Sequence, residues 1–478
     1  MRAFLAVKMV LLWAVLLALP CGAEEERVPL ALGGEWTVYK NPRFWWWHTL
    51  RDAPEKLGDK KTPAEKLAAG ADGFAVEFPA REDAEGANGE QEAVAITFFK
   101  SEKKGLALLR CESASRVEIV VNQVPIYDSA WAATPGLVLL PVRQGENCLA
   151  VRLSGRETPL RLAFGEWEKV RGILPTAENL AAIDTSVPPA TPERARYEQI
   201  IQQAVNCMDG DVFRAFRHRS DIPIGELTRI YAQYPLLKFY DKALDKVARE
   251  IPATPAPKGG AVLWMLYNMG YVVKTETAVF GIDLCHRRAH LLAPYLDFLL
   301  VTHAHDDHNN ELLQQALRMQ GKRIFSSFIE TPDMASEPRE ITVGDIRIAT
   351  EISDHNPTLK GFMTCYRITC GCDRDAVVIY HTGDSCDEQQ INPQPPVDFH
   401  IVHPHVGLNV PRAVEKIRPG AVLFSHLIEL GHCKPSPWFP VSFAIAYRDI
   451  AIMREKGLPV ASRIPLWGEK IVVEKPQR

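Results

Sequence analysis

Apolar and polar positions follow three different spacings along the chain, and each spacing predicts a different kind of structure. Between residues 33 and 167, short runs of β-branched and aromatic residues are separated by turns, which predicts an all-β region. Between residues 195 and 251, apolar residues recur at intervals of three and four, which predicts helices. After residue 260 the pattern predicts strands, and then strands that alternate with helices. The strands predicted in the first region are residues 94–99, 106–110, 117–121, 137–140 and 148–153.

Two proline-rich stretches, residues 184–193 and 251–258, separate these regions, because proline and small polar residues prevent regular pairing. They predict an all-β sandwich, then a short helical segment, then an α/β domain. The predicted boundaries are 1–23 for a signal peptide, 24–183 for the β-sandwich, 184–257 for the linker and helical segment, and 258–478 for the α/β domain.

A cluster of polar side chains directly follows the apolar run at residues 298–301, which predicts a buried strand. His303 and His305 are two residues apart, so an extended backbone points both imidazoles to one side, and Asp307 and His308 follow as the chain turns. Imidazole nitrogens and a carboxylate in this density are the ligands of Zn²⁺ or a similar divalent ion, and a second ion is compatible with the set. Solvated surface histidines would not be expected beside a buried strand.

The spacing of these four residues, His303-x-His305-x-Asp307-His308, resembles the HxHxDH signature of the metallo-β-lactamase superfamily. The resemblance covers roughly the last 220 residues, a length typical of one domain. It implies an αββα sandwich, in which helices cover two sheets and the metal pocket lies at one edge between the sheets.

The resemblance also implies further metal ligands at the ends of later strands, because six residues cannot complete a site for two metals. His355 is similar to the family's third histidine at the first metal, and Asp384 to its bridging aspartate, with Gly383 permitting the tight turn before it. His426 follows an apolar strand and is similar to the last histidine of the set. His432, which falls in a predicted loop, is its rival.

Three further residues are assigned outside the ligand set. His403 and His405 also follow a strand and could line the pocket, but structural or solvated side chains are favoured for both. Asp283 is similar to an aspartate that supports the metal-binding loop in the family. The predicted metal ligands are therefore His303, His305, Asp307, His308, His355, Asp384 and His426.

The expected cofactor is Zn²⁺, two ions per chain, with Mn²⁺ or Fe²⁺ as alternatives. Two divalent ions, two carboxylates and a bridging hydroxide leave a charge of about +1, which favours an anionic or ester-like small molecule. A metal-bound hydroxide would be the nucleophile, and Asp307 would be the catalytic residue that orients the water. A further similarity to sugar-lactone and phosphodiester hydrolases implies a lactone, a phosphodiester or a sugar-derived ester as substrate.

Composition and charge limit the kinds of molecule that the chain is expected to bind. The chain has 478 residues, of which 46% are hydrophobic, and its net charge of −4 offers no basic surface for nucleic acid. A nuclease is therefore disfavoured. The alternative from another class is a non-catalytic carbohydrate-binding or scaffold protein with a vestigial metal fold, which the predicted set of seven ligands opposes.

The amino end resembles a secretory signal. Arg2 and Lys8 precede an apolar run at residues 9–19, and small residues lead to an expected cleavage after Ala23. A periplasmic or secreted product without a retained membrane span is expected, because the run is short for a span. In such an oxidising compartment, Cys111 and Cys148, on neighbouring predicted strands, could form a disulfide.

The predicted sandwich has a weaker resemblance of its own. Its segments at residues 34–36, 121–125 and 145–152 resemble the galactose-binding-like β-sandwich found beside glycoside hydrolase domains. Three consecutive tryptophans at residues 45–47 could stack against a sugar or fill a junction between domains. The packing interpretation is favoured, because tryptophan is usually buried.

Overall fold

The structure, a computed structural model, describes residues 35–40, 64–68, 91–102, 105–112, 116–122, 124–128, 137–155, 161–164, 174–371, 376–433 and 443–473. The chain divides into two compact units, and each is described by itself. The first unit is Met1–Gln123, Gly136–Arg171 and Ile222–Leu237, and the second is Val124–Pro135, Gly172–Asp221 and Lys238–Arg478.

The amino-terminal part of the chain is built from strands. They are β1 (Glu35–Lys40), β2 (Ala64–Ala68), β3 (Gln91–Ser101), β4 (Gly105–Glu112), β5 (Arg116–Val121), β6 (Val124–Asp128), β7 (Leu137–Val142), β8 (Gly145–Gly155) and β9 (Arg161–Phe164). In the first unit, β2-β1-β3-β8-β5 are neighbours in one sheet and β7-β4-β9 in another.

The two long strands β3 and β8 organise the larger of these sheets. They pair antiparallel from Gln91 opposite Gly155 to Ser101 opposite Gly145. All five strands predicted in this region lie within β3, β4, β5, β7 and β8. Cys111 and Cys148 form no disulfide among the described residues, so that suggested bridge is wrong. The galactose-binding-like identity of this region stays a prediction.

Helices form in the stretch where the periodicity predicts them, and one short helix precedes that stretch. They are α1 (Ala177–Ala181), α2 (Pro192–Asn206), α3 (Gly210–Arg217), α4 (Ile224–Gln233) and α5 (Pro235–Ala253). Helix α2 begins at a cap, where the Thr191 side chain accepts a hydrogen bond from the backbone N–H of Arg194. The guanidinium of Arg194 is buried and lies 3.1 Å from Glu198 and 2.5 Å from Glu469, which ties the helix to the carboxyl-terminal part of the second unit.

The second unit contains two large sheets. Their strands are β10 (Ala261–Tyr267), β11 (Gly270–Lys274), β12 (Val279–Ile282), β13 (Phe298–Leu300), β14 (Arg323–Phe325), β15 (Glu340–Val343), β16 (Ile346–Ser353), β17 (Met363–Cys370), β18 (Val377–His381), β19 (Phe399–Val402), β20 (Ala421–Phe424), β21 (Ala461–Arg463) and β22 (Lys470–Val473). The accompanying helices are α6 (Glu311–Met319), α7 (Val410–Ile417) and α8 (Phe443–Glu455), with short 3₁₀ helices at Ala289–Leu292 and Leu430–His432.

The strand order decides where polar loops meet. One sheet has the order β14-β13-β12-β11-β10-β22, and the other has the order β15-β16-β17-β18-β19-β20-β21. Strands β12, β13 and β14 are parallel, and so are β18, β19, β20 and β21. Parallel neighbours end at the same edge, so the loops that follow β18, β19 and β20 are adjacent.

Hydrogen bonds connect the two sheets through their buried faces. The Tyr366 hydroxyl on β17 donates to the carbonyl of Val301 at 2.8 Å. The backbone N–H of Thr364, also on β17, donates to the carbonyl of Thr302 at 2.9 Å. Both contacts hold the end of β13 against β17. The expected combination of several sheets with helices is confirmed at this coarse level.

Several sequence-based expectations fall on residues that the structure does not describe. The signal peptide at residues 1–23 and the three tryptophans at residues 45–47 lie outside the described ranges. Within the described ranges, none of the helices is long and apolar enough to cross a membrane.

Candidate metal centre

The centre is built on the loop that follows β13. The His303 side chain is fully buried at the end of that strand, and His305 is partly exposed. His303 Nε2 lies 3.0 Å from His305 Nδ1, so the two rings converge as their spacing predicts. The loop then turns, with the backbone N–H of His308 donating to the carbonyl of His305.

A first group of ligand atoms consists of three imidazoles, from His303, His305 and His355, whose nitrogens lie within 4.8 Å of one another. His355 comes from the loop after β16, and its side chain is 14% exposed. The ring of Phe362 lies beside all three imidazoles, with centroid distances of 5.2 to 6.2 Å. Because His305 and His355 keep some exposure, the centre opens to solvent on this side.

A second group consists of Asp307, His308 and His426, whose ligand atoms also lie within 4.8 Å of one another. His426 Nε2 is 2.9 Å from Asp307 Oδ2, and His308 Nε2 is 3.8 Å from the same oxygen. His426 follows β20 with a φ of 55°, and its backbone N–H donates to the carbonyl of Asn268. This left-handed turn aims the imidazole at the loop after β13.

Asp384 lies between the two groups. Its Oδ2 is 3.6 Å from His355 Nε2 and 4.0 Å from His303 Nε2, while its Oδ1 is 3.2 Å from His308 Nε2. The preceding Gly383 has a φ of 52°, and an added Cβ there would come within 2.4 Å of Met363 and 2.9 Å of Thr302. A glycine is therefore needed both for the turn and for the close approach.

A buried carboxylate supports the loop from behind. Asp283 accepts from the backbone N–H of Thr302 at 2.8 Å and from its hydroxyl at 2.7 Å, and its Oδ2 lies 2.9 Å from His308 Nδ1. A carboxylate at Nδ1 selects the tautomer of His308 that carries its proton there. The other nitrogen, Nε2, is then free to bind a metal.

Burial and neighbouring charges shift the pKa values of the titratable groups in the centre. Burial lowers the pKa of His303 well below its ordinary value. Burial raises the pKa values of Asp307 and Asp384, but the imidazoles, His308 first among them, outweigh that effect and hold both well below their usual range. Burial lowers the pKa of His308, but the surrounding carboxylates outweigh it and raise that pKa well above its ordinary value. Both carboxylates are therefore ionised at neutral pH.

Several side-chain atoms in this centre are buried and have no hydrogen-bond partner among the described residues. They are His308 Nε2, Asp384 Oδ1, both ring nitrogens of His403, and His426 Nδ1. Buried polar atoms are normally satisfied. A divalent cation, which takes nitrogen and carboxylate oxygen ligands, fits this cluster of acceptors.

The structure thus brings together all seven side chains that the sequence singles out as ligands. Of the two rival histidines, His426 lies in the centre, and His432 lies in the 3₁₀ helix Leu430–His432, outside every group of ligand atoms found among the described residues.

One residue that the sequence analysis placed outside the ligand set also lies here. His403 is 5% exposed, and its Nδ1 is 3.1 Å from Asp384 Oδ1. Of the two interpretations favoured for this residue, a structural or a solvated side chain, its burial leaves the structural one. The available signal was its place directly after an apolar strand, the same position that the other ligands occupy.

Neither a protein-family model nor a curated protein matches this chain. Solved structures do resemble part of it. Igni18, a metallo hydrolase from Ignicoccus hospitalis, is 19% identical, with a TM-score of 0.36, covering 45% of this chain and 100% of that one. A structure described as a Zn-dependent hydrolase of the metallo-β-lactamase superfamily, from Thermotoga maritima, is 12% identical, with a TM-score of 0.26. That match covers 41% of this chain and 85% of the other.

A third similar structure is CmlA, a diiron β-hydroxylase from Streptomyces venezuelae. It is 13% identical, with a TM-score of 0.30, and the match covers 46% of this chain and 55% of that one. All three similarities are weak, so the function of this chain has to be inferred from its own side chains.

Proposed function

We propose that the chain is a metal-dependent hydrolase whose carboxyl-terminal part has the αββα fold of the metallo-β-lactamase superfamily and binds two divalent ions. The observation that carries this proposal is the convergence of buried imidazoles and carboxylates with unsatisfied ligand atoms at one edge of the sheets. Side chains that served only stability would be expected to satisfy one another.

The ligands divide into two sets. His303, His305 and His355 hold the first ion, Asp307, His308 and His426 hold the second, and Asp384 lies between the two. When bound, such ions polarise a substrate oxygen and lower the pKa of a coordinated water. Zn²⁺ is the proposed ion, because imidazole and carboxylate ligands suit it, with Mn²⁺ or Fe²⁺ as alternatives.

Asp307 is the proposed catalytic residue. Its side chain is 14% exposed, and its Oδ2 is 2.9 Å from His426 Nε2 and 3.4 Å from Asn268 Nδ2. These neighbours hold the carboxylate in one orientation. The low pKa of Asp307 keeps it ionised, so it can orient a water molecule and accept its proton.

The charge of the centre favours a substrate with a polarisable oxygen. Two divalent ions would bring +4, Asp307 and Asp384 bring −2, and a hydroxide would bring −1, which leaves about +1. A small ester-like molecule, such as a lactone, a phosphodiester or a sugar-derived ester, matches that modest charge. Phe362, beside the exposed edge of His305, offers it an apolar contact.

The test combines metal content with turnover. Purified protein should hold two ions per chain, and it should hydrolyse members of a panel of lactones, phosphodiesters and β-lactams. Asp307→Asn keeps the shape of the side chain but removes its charge and basicity, so turnover should fall by about 10²-fold or more even when the variant is loaded with excess Zn²⁺. Full activity of metal-loaded Asp307→Asn would contradict the mechanism, and a protein without metal would contradict the function.

The proposed location is the periplasm or the exterior of the cell, supported by the charge and apolar pattern of residues 1–23. Mass spectrometry of the mature protein should find an amino terminus close to residue 24. Intact Met1 on a cytosolic protein would contradict export without affecting the proposed chemistry.

A further inference from the structure

We infer that His403 is an additional ligand of the second metal ion, which gives that ion five protein ligands. The inference rests on the proposed metal-dependent function and extends it to a residue outside the predicted ligand set. The ligands of the second ion would then be Asp307, His308, Asp384, His403 and His426.

The position of His403 follows from the strand order. Strand β19 lies between β18 and β20 and is parallel to both. Asp384, His403 and His426 each follow one of these three strands, so their side chains meet at the same edge. Their ligand atoms all lie within 4.8 Å of one another.

The distances are those expected between neighbouring ligands of one ion. Metal–ligand bonds of about 2.0–2.2 Å place adjacent ligand atoms about 2.8–3.6 Å apart in octahedral or tetrahedral geometry. His403 Nδ1 is 3.1 Å from Asp384 Oδ1, and His308 Nε2 is 3.2 Å from the same oxygen. Asp307 Oδ2 and His426 Nε2 are 2.9 Å apart, which is also within that range.

A purely structural role fits His403 less well. Both of its ring nitrogens are buried, and neither forms a hydrogen bond within the described part of the chain. Its ring stacks on that of His426, with centroids 4.0 Å apart and planes at 10°. The missing hydrogen bonds alone do not identify a ligand, because both ring nitrogens of His400 are also buried without a partner. His403 differs in that its Nδ1 lies 3.1 Å from Asp384 Oδ1, a carboxylate oxygen that itself has no hydrogen-bond partner among the described residues.

This assignment makes the two ions unequal. The first ion has three imidazoles and a share of Asp384, and its ligands His305 and His355 are partly exposed. The second ion would be enclosed by five protein side chains. We therefore expect a chelator to remove the first ion before the second, and the open coordination positions to lie at the first.

The experiment compares His403→Ala with His405→Ala, a matched control two residues away on the same loop and outside every ligand group described. Each protein is loaded with Zn²⁺ and equilibrated with graded chelator, and the metal retained per chain is measured. Co²⁺-loaded samples report coordination number through the intensity of their visible absorption. His403→Gln, which keeps a polar side chain of similar size, is measured in the same way in case alanine prevents folding.

In the wild type and in His405→Ala, two ions should be retained, one more tightly than the other. In the His403 variants, the affinity of the tighter ion should fall by about tenfold or more, and its Co²⁺ spectrum should change. Wild-type affinity and an unchanged spectrum in His403→Gln would overturn the inference and leave the proposed function intact. A wild-type protein that binds no metal would overturn both.

Discussion

Replacing Asp283 with asparagine isolates the contribution of one buried carboxylate to metal binding. The substitution keeps the size of the side chain. It is also compatible with the backbone conformation, because asparagine adopts the φ of 47° found at this position as readily as aspartate does. Any change in metal affinity therefore reflects hydrogen bonding and charge rather than packing.

The expected effect follows from the three contacts of the carboxylate. The backbone N–H of Thr302 requires an acceptor, so the amide oxygen of asparagine must face it, at the position where Oδ1 lies 2.8 Å away. The amide NH₂ then faces His308 Nδ1, which is 2.9 Å from Oδ2 in the native protein. The imidazole must move its proton to Nε2, the nitrogen that faces Asp384, and that tautomer cannot bind a metal.

Loss of such an outer contact weakens metal binding by about 10- to 100-fold, or about 1.4–2.7 kcal/mol. The loss should fall mainly on the second ion. Chelator competition at pH 7.5 measures it, and the melting temperature of the metal-free protein checks that the fold is retained. Asp297→Asn is the control, because Asp297 accepts from the backbone N–H of Val279 at 2.8 Å, outside the centre. Wild-type affinity for both ions in Asp283→Asn would refute this reasoning.

Three further predictions concern the rival histidine, a buried ion pair and a buried imidazole. His426→Ala should reduce bound metal and turnover severely while His432→Ala is mild, and metal analysis showing the reverse would exclude His426 as a ligand. Glu469→Ala leaves the guanidinium of Arg194 buried with one partner fewer, so urea unfolding should show a loss of about 3–5 kcal/mol, and a loss below about 1 kcal/mol would contradict this. Burial lowers the pKa of His400 from 6.5 to about 3, so the unfolded chain binds that proton more tightly, and the stabilisation present above pH 6.5 is lost as pH falls toward 3. Between pH 7 and pH 5 the free energy of unfolding of the wild type, measured in urea, should therefore fall by about 2 kcal/mol more than that of a His400→Leu variant. An equal fall in the two proteins would contradict this assignment.

The local part of the centre could be predicted from the sequence because its residues are neighbours along the chain. His303 and His305 follow a buried strand at a spacing that points both rings to one side, and in the structure their nitrogens are 3.0 Å apart. The strands and helices themselves were also predictable, since the period of apolar residues reflects which face of each element is buried.

Other properties required the tertiary structure, because they depend on which strands are neighbours. The apolar pattern predicts that β18, β19 and β20 exist, but it does not say that they lie side by side and parallel. Without that order, His403 resembles any histidine after a strand, and nothing distinguishes it from His405.

The sequence already favours His426 over His432, because His426 directly follows an apolar strand, but only the structure shows what its ring contacts. Both are close to β20 in sequence, but a left-handed turn at His426 directs its ring toward Asp307, more than a hundred residues earlier in the chain. The sequence alone thus determined the elements and the local metal-binding motif, whose geometry is set by adjacent residues. Only the tertiary structure decided the full set of side chains around the metal centre, because long-range strand pairing brings their loops to one edge.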